Sequence, residues 1–173
     1  MLAKLTSWPA DRVSGPSAPL HVCLLQPQSR GSVRLASRDP LQLPLVDPNF
    51  LADPDDMARM VRGFQIGRRI LQQSALAQYG GRENQSMAQA QTPGEIEQFI
   101  RQYADTIYHP VGSCRMGPGA LDVVDAELRV HGLSGLRVVD ASVMPRIVSG
   151  NTNAPTVMIA EKAVDLLRKA AVN

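Results

Sequence analysis

Apolar residues recur at helical spacing in three stretches of the chain. The first follows an Asp-Pro pair at 53–54, where a capping oxygen, a proline and acidic residues favour a helix start, and it should last to about Ser74. The second begins at Thr92, which together with Glu95 matches a capping box. The third covers 156–170 and is basic at its end. This pattern predicts three helices.

Short Val- and Leu-rich runs predict the strands. Residues 21–26 and 32–36 flank a turn-forming segment and predict an antiparallel hairpin. Residues 38–50 contain three prolines and are expected to form an extended surface connection, and the polar residues 79–91 are expected to form a loop. Leu136–Val139 has the composition of a strand buried on both faces, as in a parallel sheet. The strand, polar loop and helix that end the chain have the shape of a nucleotide-binding sheet unit.

Composition describes an ordinary globular chain. Its 173 residues are 44% hydrophobic and 20% charged, with a net charge of +2 and no basic block, so nucleic-acid binding has no electrostatic support. Cys23 and Cys114 match neither a disulfide framework nor a zinc spacing, and nothing resembles a metal site. No signal peptide or membrane-spanning run is recognisable. We therefore expect a cytoplasmic protein, with peripheral attachment to the inner membrane left open.

One histidine lies in an unusual setting. Residues 106–117 read TIYHPVGSCRMG, and the proline that follows His109 disfavours helix at the histidine and should hold it extended, at the end or edge of a strand. A rigid backbone suits an acid or base, although an ordinary strand terminus has the same pattern. His131, in a turn, and His21, at a strand start, are interpreted as structural.

The neighbours of His109 are weaker candidates. Cys114 is interpreted as a small buried hydrophobic residue, and Arg115 as a member of a surface salt bridge, with binding of a phosphate or carboxylate as the alternative. A hydrolase that uses Cys114 or Ser113 with His109 lacks any recognisable nucleophile elbow.

A polar cluster precedes the last helix. A helix cap is one interpretation of Asn151, Thr152, Asn153 and Pro155. The Asn and Thr side-chain oxygens can accept from free amides, and proline suits the first turn. The same free amides and the helix dipole favour negative charge, so an anion or a reduced flavin ring is the functional alternative. The local sequence leaves both interpretations open.

Several segments in series resemble a known family. The segments are PQSRGSVRLAS, DPNFLADPDD, TIYHPVGSCRMGPG and VVDAELRVHGLSGLRVVDASVMPRIVSGNTNAPTVMIAEKAVDLL. Together they resemble the carboxyl-terminal portion of the glucose–methanol–choline (GMC) oxidoreductases, with the greatest likeness to choline dehydrogenases and bacterial FAD-linked alcohol dehydrogenases. The resemblance covers about residues 20–170 in order.

The resemblance implies a specific chemistry. Members of this family oxidise an alcohol by passing a hydride from its carbon to FAD, which oxygen, a quinone or another acceptor then reoxidises. The histidine of the Tyr-His-Pro motif, here His109, acts as base toward the substrate hydroxyl, and Asn153 hydrogen-bonds the same oxygen. The positions that correspond to FAD contacts are Asp140, Ala141, Thr152, Asn153, Ala154 and Thr156.

The resemblance also implies an incomplete α+β fold. The expected parts are an irregular stub at 1–19, a substrate-binding part with an antiparallel sheet and helices at 20–128, and the returning strand and last helix of an FAD-binding part at 129–173. The glycine-rich turn that holds the FAD pyrophosphate is absent from the sequence. We therefore expect a truncated chain that needs an amino-terminal FAD-binding half, supplied by a longer chain or a partner chain, before it is active on a small alcohol. The competing hypothesis is a non-catalytic domain without flavin that is inactive or binds a partner.

Overall fold

The structure is a computed structural model that describes residues 3–6, 20–79, 83 and 85–172. The chain divides into two compact units, which we describe separately. The helical unit consists of Leu2–Arg30 and Asn49–Ile107, and the His109 unit contains Gly31–Pro48 and Tyr108–Asn173.

Helices and short antiparallel strands together give an α+β chain. In chain order the elements are β1 (Ala3–Thr6), β2 (His21–Cys23), β3 (Ser32–Arg34), β4 (Leu45–Asp47), α1 (Pro54–Leu71), α2 (Ser74–Ala77), α3 (Gln85–Gln89), α4 (Pro93–Tyr103), β5 (Ala104–Thr106), a 3-10 helix (Ala141–Val143) and α5 (Asn153–Val172). The strands form a sheet of order β2-β1-β5 in the helical unit and a β3-β4 pair in the His109 unit.

The core of the helical unit lies where α1 packs against α4. Phe64 of α1 and Phe99 of α4 are 2% and 6% exposed, and their rings meet edge to face with centroids 5.5 Å apart. The buried residues of this core are Leu24, Leu51, Met57, Met60, Phe64, Met87, Ala90, Ile96, Phe99 and Ile100. The apolar spacing of the two helices in the sequence therefore corresponds to their buried faces.

A buried carboxylate fastens the loop after β2 to the first turn of α1. Asp56 is fully buried, and its carboxylate accepts hydrogen bonds from the Gln28 amide (2.8 Å), the Ser29 amide (2.7 Å) and the Ser29 hydroxyl (2.6 Å). Burial alone would raise the pKa of Asp56, but these hydrogen bonds and the nearby Arg59 charge hold it below its ordinary value of 3.8. The folded state therefore favours the ionised form of Asp56.

The His109 unit has a smaller core under α5. Val124, Leu128, Val143 and Ala163 are its buried members. Just before β3, a Cβ on Gly31 would lie 2.2 Å from the carbonyl oxygen of Asp47 in β4, so only glycine fits there without movement of the backbone.

The three predicted helices are confirmed. Asp53 caps α1 by accepting from the Asp55 amide at 2.8 Å, and α1 ends at Leu71. The capping box of α4 is present in both directions between Thr92 and Glu95. The third predicted helix is α5, which begins a few residues earlier than its apolar pattern does.

Several strand and loop predictions are wrong. The expected hairpin of 21–26 with 32–36 does not form, because β2 pairs with β1 and β3 pairs with β4. The expected connection at 38–50 therefore contains β4. Its residues Leu41, Leu43, Leu45 and Val46 are exposed, whereas Phe50 is partly buried against the core of the helical unit. The loop predicted at 79–91 contains α3.

Irregular structure over 1–19 is wrong at Ala3–Thr6, which forms β1, and the remainder of 1–19 lies outside the described residues. The returning strand expected at Leu136–Val139 is also absent. Leu136 and Val138 each make a backbone hydrogen bond to residues 128–130, which gives only an isolated bridge between Arg129 and Arg137. A strand buried on both faces needs neighbouring strands, and Leu136 remains 49% exposed here.

Candidate active site

Two backbone contacts hold the segment after His109 against the 3-10 helix. The Cys114 amide donates to the Ser142 carbonyl at 3.1 Å, and the Met116 amide donates to the Val143 carbonyl at 2.9 Å. Gly112, with φ of +86°, makes the preceding turn in the left-handed region that favours glycine. The histidine is therefore followed by an anchored backbone.

The backbone before His109 is also unusual. Tyr108 has φ of +63°, a left-handed conformation that costs a bulky residue about 1 kcal/mol or more. The expectation of a strand end at His109 is wrong, since β5 ends at Thr106 and His109 itself lies in no strand. Pro110 on the carboxyl side and the strained Tyr108 on the amino side fix the histidine instead.

The His109 side chain contacts the residue that precedes α5. Its Nδ1 lies 2.9 Å from the Thr152 hydroxyl oxygen, and the Thr152 amide donates a hydrogen bond to the same Nδ1 at 3.5 Å. Thr152 is only 6% exposed, whereas His109 is half-buried. The structure thus brings together two of the residues selected from the sequence, 43 positions apart.

The other selected residues of this segment line the start of α5. Asn153 and Ala154 are exposed, and Thr156 is half-buried. The Thr156 amide and hydroxyl donate to the Thr152 carbonyl at 3.0 and 2.6 Å, which closes the first turn. No acidic residue stands in this first turn, so the free amides and the dipole leave it favourable for negative charge.

Asp140 and Ala141 lie at the start of the 3-10 helix. The Asp140 carboxylate accepts from the Ser142 amide at 2.7 Å and caps this helix. One oxygen of this exposed carboxylate is therefore used in the cap.

The remaining histidines differ from His109. His131 lies 2.9 Å through Nε2 from the Gly117 carbonyl oxygen, and because a carbonyl only accepts, Nε2 carries a proton. This contact agrees with the structural role predicted for it. His21 is an exposed residue of β2.

Arg115 forms the ion pair that the sequence analysis favoured. Its partner is Asp122, and the hydrogen bond from Arg115, followed by one from the Gly119 amide, holds the pKa of Asp122 below its usual value. Cys114 is a free cysteine and is half-buried, whereas a small buried hydrophobic residue was expected.

Known proteins resemble this chain over most of its length. The profile of the GMC oxidoreductase carboxyl-terminal domain matches residues 27–160. The chain belongs to the GMC oxidoreductase family. The resemblance inferred from its motifs is therefore confirmed.

Curated GMC relatives cover the same region. The chain is 49% identical over 148 residues to an alcohol dehydrogenase [acceptor] of Pseudomonas putida, which covers 86% of this chain and 27% of that protein. It is 47% identical over 148 residues to an oxygen-dependent choline dehydrogenase of Escherichia coli, covering 86% of this chain and 26% of that protein. The chain thus spans about a quarter of the length of these relatives.

A solved GMC-like structure gives the same fold. An FAD-dependent oxidoreductase from Chaetomium thermophilum superposes with a TM-score of 0.83 and 29% identity, over 90% of this chain and 27% of that one.

The described residues of this chain suit one part of an FAD molecule and not another. The first turn of α5 contains no acidic residue, so it suits the partly negative edge of a flavin ring. The sequence contains no G-x-G-x-x-G turn that would bind the pyrophosphate of FAD.

No helix among residues 3–6, 20–79 and 85–172 combines the length and apolarity needed to cross a membrane.

One contact within the site was not predicted from the sequence. His109 was expected to act with Asn153, and Thr152 was expected to cap the helix or contact the cofactor, whereas the Thr152 hydroxyl contacts the imidazole. A signal was available, because Pro155 stands at the third helical position and has no amide for a capping threonine to bind.

Proposed function

We propose that this chain supplies the proton-handling side of a GMC active site that oxidises a primary alcohol. In this proposal His109 accepts the proton of the substrate hydroxyl, and Asn153 donates a hydrogen bond to the same oxygen. The observation that supports it most is the 2.9 Å contact between the His109 imidazole and Thr152, the residue adjacent to Asn153.

His109 suits a base for two reasons. An imidazole is the usual proton acceptor near neutral pH, and a proton transfer of this kind is worth about 10²–10⁴-fold in rate. The strained Tyr108, the ring of Pro110 and the Thr152 contact restrict its movement. A base that is already oriented loses little rotational entropy when it meets the substrate oxygen.

Asn153 suits a donor to that oxygen. Its side chain is exposed at the first position of α5, so its amide group is available to a ligand. The positive end of the helix dipole acts in the same direction, since an alcohol that loses its proton concentrates negative charge on oxygen.

We further propose FAD as the cofactor. When bound, FAD supplies the acceptor for the hydride that leaves the alcohol carbon. The groups of this chain that would hold it are the backbone at Asp140 and Ala141 and the first turn of α5, including Thr152, Ala154 and Thr156. The final electron acceptor is proposed to be oxygen or a quinone.

A larger FAD-binding part is proposed to cover the exposed apolar residues of the His109 unit. Val157 and Met158 on α5 are 53% and 59% exposed, and Leu45 and Val46 on β4 are 60% and 61% exposed. The share of the curated relatives that this chain spans, about a quarter, is consistent with such a part. It would belong to a longer polypeptide or to a partner chain.

The test replaces the matching 148 residues of the Pseudomonas putida alcohol dehydrogenase with those of this chain. In this chimera, His109→Gln should lower kcat for a primary alcohol by about 10²–10⁴-fold. Asn153→Ala should lower it by about 10²-fold, the usual worth of one oxyanion donor. The matched control is His131→Gln, which removes an exposed histidine of the same unit and should leave kcat unchanged.

Flavin content must be measured beside turnover. A yellow chimera that keeps its kcat after His109→Gln would rule out the proposed base. A chimera that stays colourless with added FAD would favour the non-catalytic alternative.

A further inference from the structure

We propose that the β3-β4 hairpin, residues 32–47, is a docking element that the FAD-binding part encloses on both faces. The inference rests on the proposed function, which assigns that part to a longer polypeptide or to a partner chain. It specifies the geometry of the contact, in which one layer of the partner lies on each face of the hairpin.

The hairpin has little packing of its own. Its strands pair over three residues each, from Ser32 with Asp47 to Arg34 with Leu45, and neither has another neighbouring strand among the described residues. None of the residues of β3 and β4 belongs to the two buried cores that the described residues form. A two-stranded hairpin alone is at best marginally stable in water and needs a further strand or a packed layer.

Apolar side chains of the hairpin face water instead of a core. Six of them have exposed fractions between 52% and 90%: Val33, Leu35, Leu41, Leu43, Leu45 and Val46. Single exposed apolar residues are ordinary on a protein surface. A concentration of them within one short segment is typical of a surface that binds another protein.

The exposed residues of the strands lie on both faces of the hairpin. Successive residues of a strand point to opposite faces, so Leu45 and Val46, which are 60% and 61% exposed, lie on different ones. Val33 is directly opposite Val46 in the antiparallel register and shares its face. A hairpin with one face in water would have polar residues on that face, whereas apolar residues on both faces are typical of a strand that is covered on both.

The length of the relatives favours the FAD-binding part as the occupant. The region that this chain matches is 27% of the Pseudomonas putida alcohol dehydrogenase and 26% of the Escherichia coli choline dehydrogenase. The remainder of such a protein is long enough to supply two layers. A second copy of this chain fits less well, because a two-fold symmetric contact brings the same face of each hairpin together and leaves the other face in water.

The test places one thiol on each face and measures how fast it reacts with N-ethylmaleimide. The variants are Leu45→Cys and Val46→Cys, and the matched control is Gln98→Cys, an exposed residue of α4 in the helical unit. Each rate is read from the mass spectrum of its own peptide, so that other cysteines do not interfere. All three variants are made in this chain alone and in the chimera described above.

In the chain alone, the three thiols should react at similar rates. In the chimera, the thiols at 45 and 46 should both react at least about tenfold more slowly, because a covered site reacts only when the contact opens. The rate at 98 should stay the same. If a cysteine variant prevents assembly of the chimera, hydroxyl-radical oxidation of the unsubstituted Leu45 and Val46 measures the same protection.

Three outcomes overturn the inference. Protection of only one thiol in the chimera would mean a one-sided contact, and protection of neither would mean that the hairpin does not dock. Slow reaction at 45 or 46 in the chain alone, with a dimer detected by light scattering, would make a second copy the occupant.

The failure of this inference and the failure of the proposed function are distinguishable, because the labelling needs no turnover. If both faces are protected while His109→Gln leaves kcat of the chimera unchanged, the assigned base fails and the enclosed hairpin stands. If both faces stay reactive while His109→Gln lowers kcat, the hairpin inference fails and the assigned base stands.

Discussion

Replacement of Asp56 by asparagine tests how the helical unit is held together. The carboxylate binds the loop after β2 through both oxygens: Oδ1 accepts from the Gln28 amide, and Oδ2 accepts from the amide and hydroxyl of Ser29. The same Ser29 hydroxyl accepts from the Asp53 amide at the start of α1. One side chain therefore links the loop to the helix.

The cost of Asp56→Asn can be worked from these contacts. Asparagine has one oxygen, so whichever way its amide turns, its NH₂ group faces a backbone N–H that loses its acceptor. An unsatisfied group of this kind costs about 1–3 kcal/mol, and the remaining bonds lose their charge assistance, about 1 kcal/mol more. We expect the free energy of unfolding at pH 7 to fall by about 2–4 kcal/mol.

The difference between the two proteins should depend on pH. The folded-state pKa of Asp56 lies below its ordinary value of 3.8, so the unfolded state binds this proton more readily. The stabilisation is therefore complete well above pH 4 and is lost as the pH falls below the unfolded pKa toward the folded one. Asparagine does not titrate, so the stability gap between wild type and variant should narrow in that window.

The assay is urea unfolding followed by circular dichroism at pH 7, 5, 4 and 3. The matched control is Asp55→Asn, the same change at the preceding residue, whose side chain is 60% exposed and 3.9 Å from Arg59. It should cost less than about 1 kcal/mol. A cost for Asp56→Asn no larger than that of the control at pH 7, or a gap that stays constant from pH 5 to pH 3, would refute the reasoning.

Two further predictions test local geometry by the same urea assay. Gly31→Ala should lower the free energy of unfolding by about 1–3 kcal/mol, because its Cβ would lie 2.2 Å from the Asp47 carbonyl oxygen. The control Gly94→Ala lies in open space in α4 and should raise the free energy of unfolding by about 0.5–1 kcal/mol, and equal effects of the two changes would contradict this reasoning. Thr92→Ala should cost about 0.5–2 kcal/mol, since it removes one half of the capping box with Glu95, and an unchanged unfolding midpoint would argue against that cap.

The helices could be predicted from the sequence because their signals are local. Thr92 and Glu95 are three positions apart, and the cap at Asp53 acts on an amide two positions away. Such contacts need no information about the rest of the chain. The apolar faces of the predicted helices coincide with the buried positions of α1 and α4.

The strands could not be predicted in this way, because a strand is defined by its partner. The run His21–Cys23 has strand composition, but composition does not distinguish a partner at 32–36 from one at the start of the chain. Pairing with Ala3–Thr6 joins segments that are not adjacent in sequence. The same reasoning applies to Leu136–Val139, whose composition fits a central strand and whose backbone makes only an isolated bridge.

The candidate site combines both situations. His109 was recognisable from its own surroundings, since proline stiffens the chain at that point, but its contact with Thr152 spans 43 positions. A boundary between loop and helix explains why sequence neighbours differ there: Thr152 is buried and Asn153, one residue later, is exposed. A capping threonine followed three residues later by proline loses one of its usual amide partners. That pattern predicts a hydroxyl available to a distant side chain, and here the side chain is an imidazole.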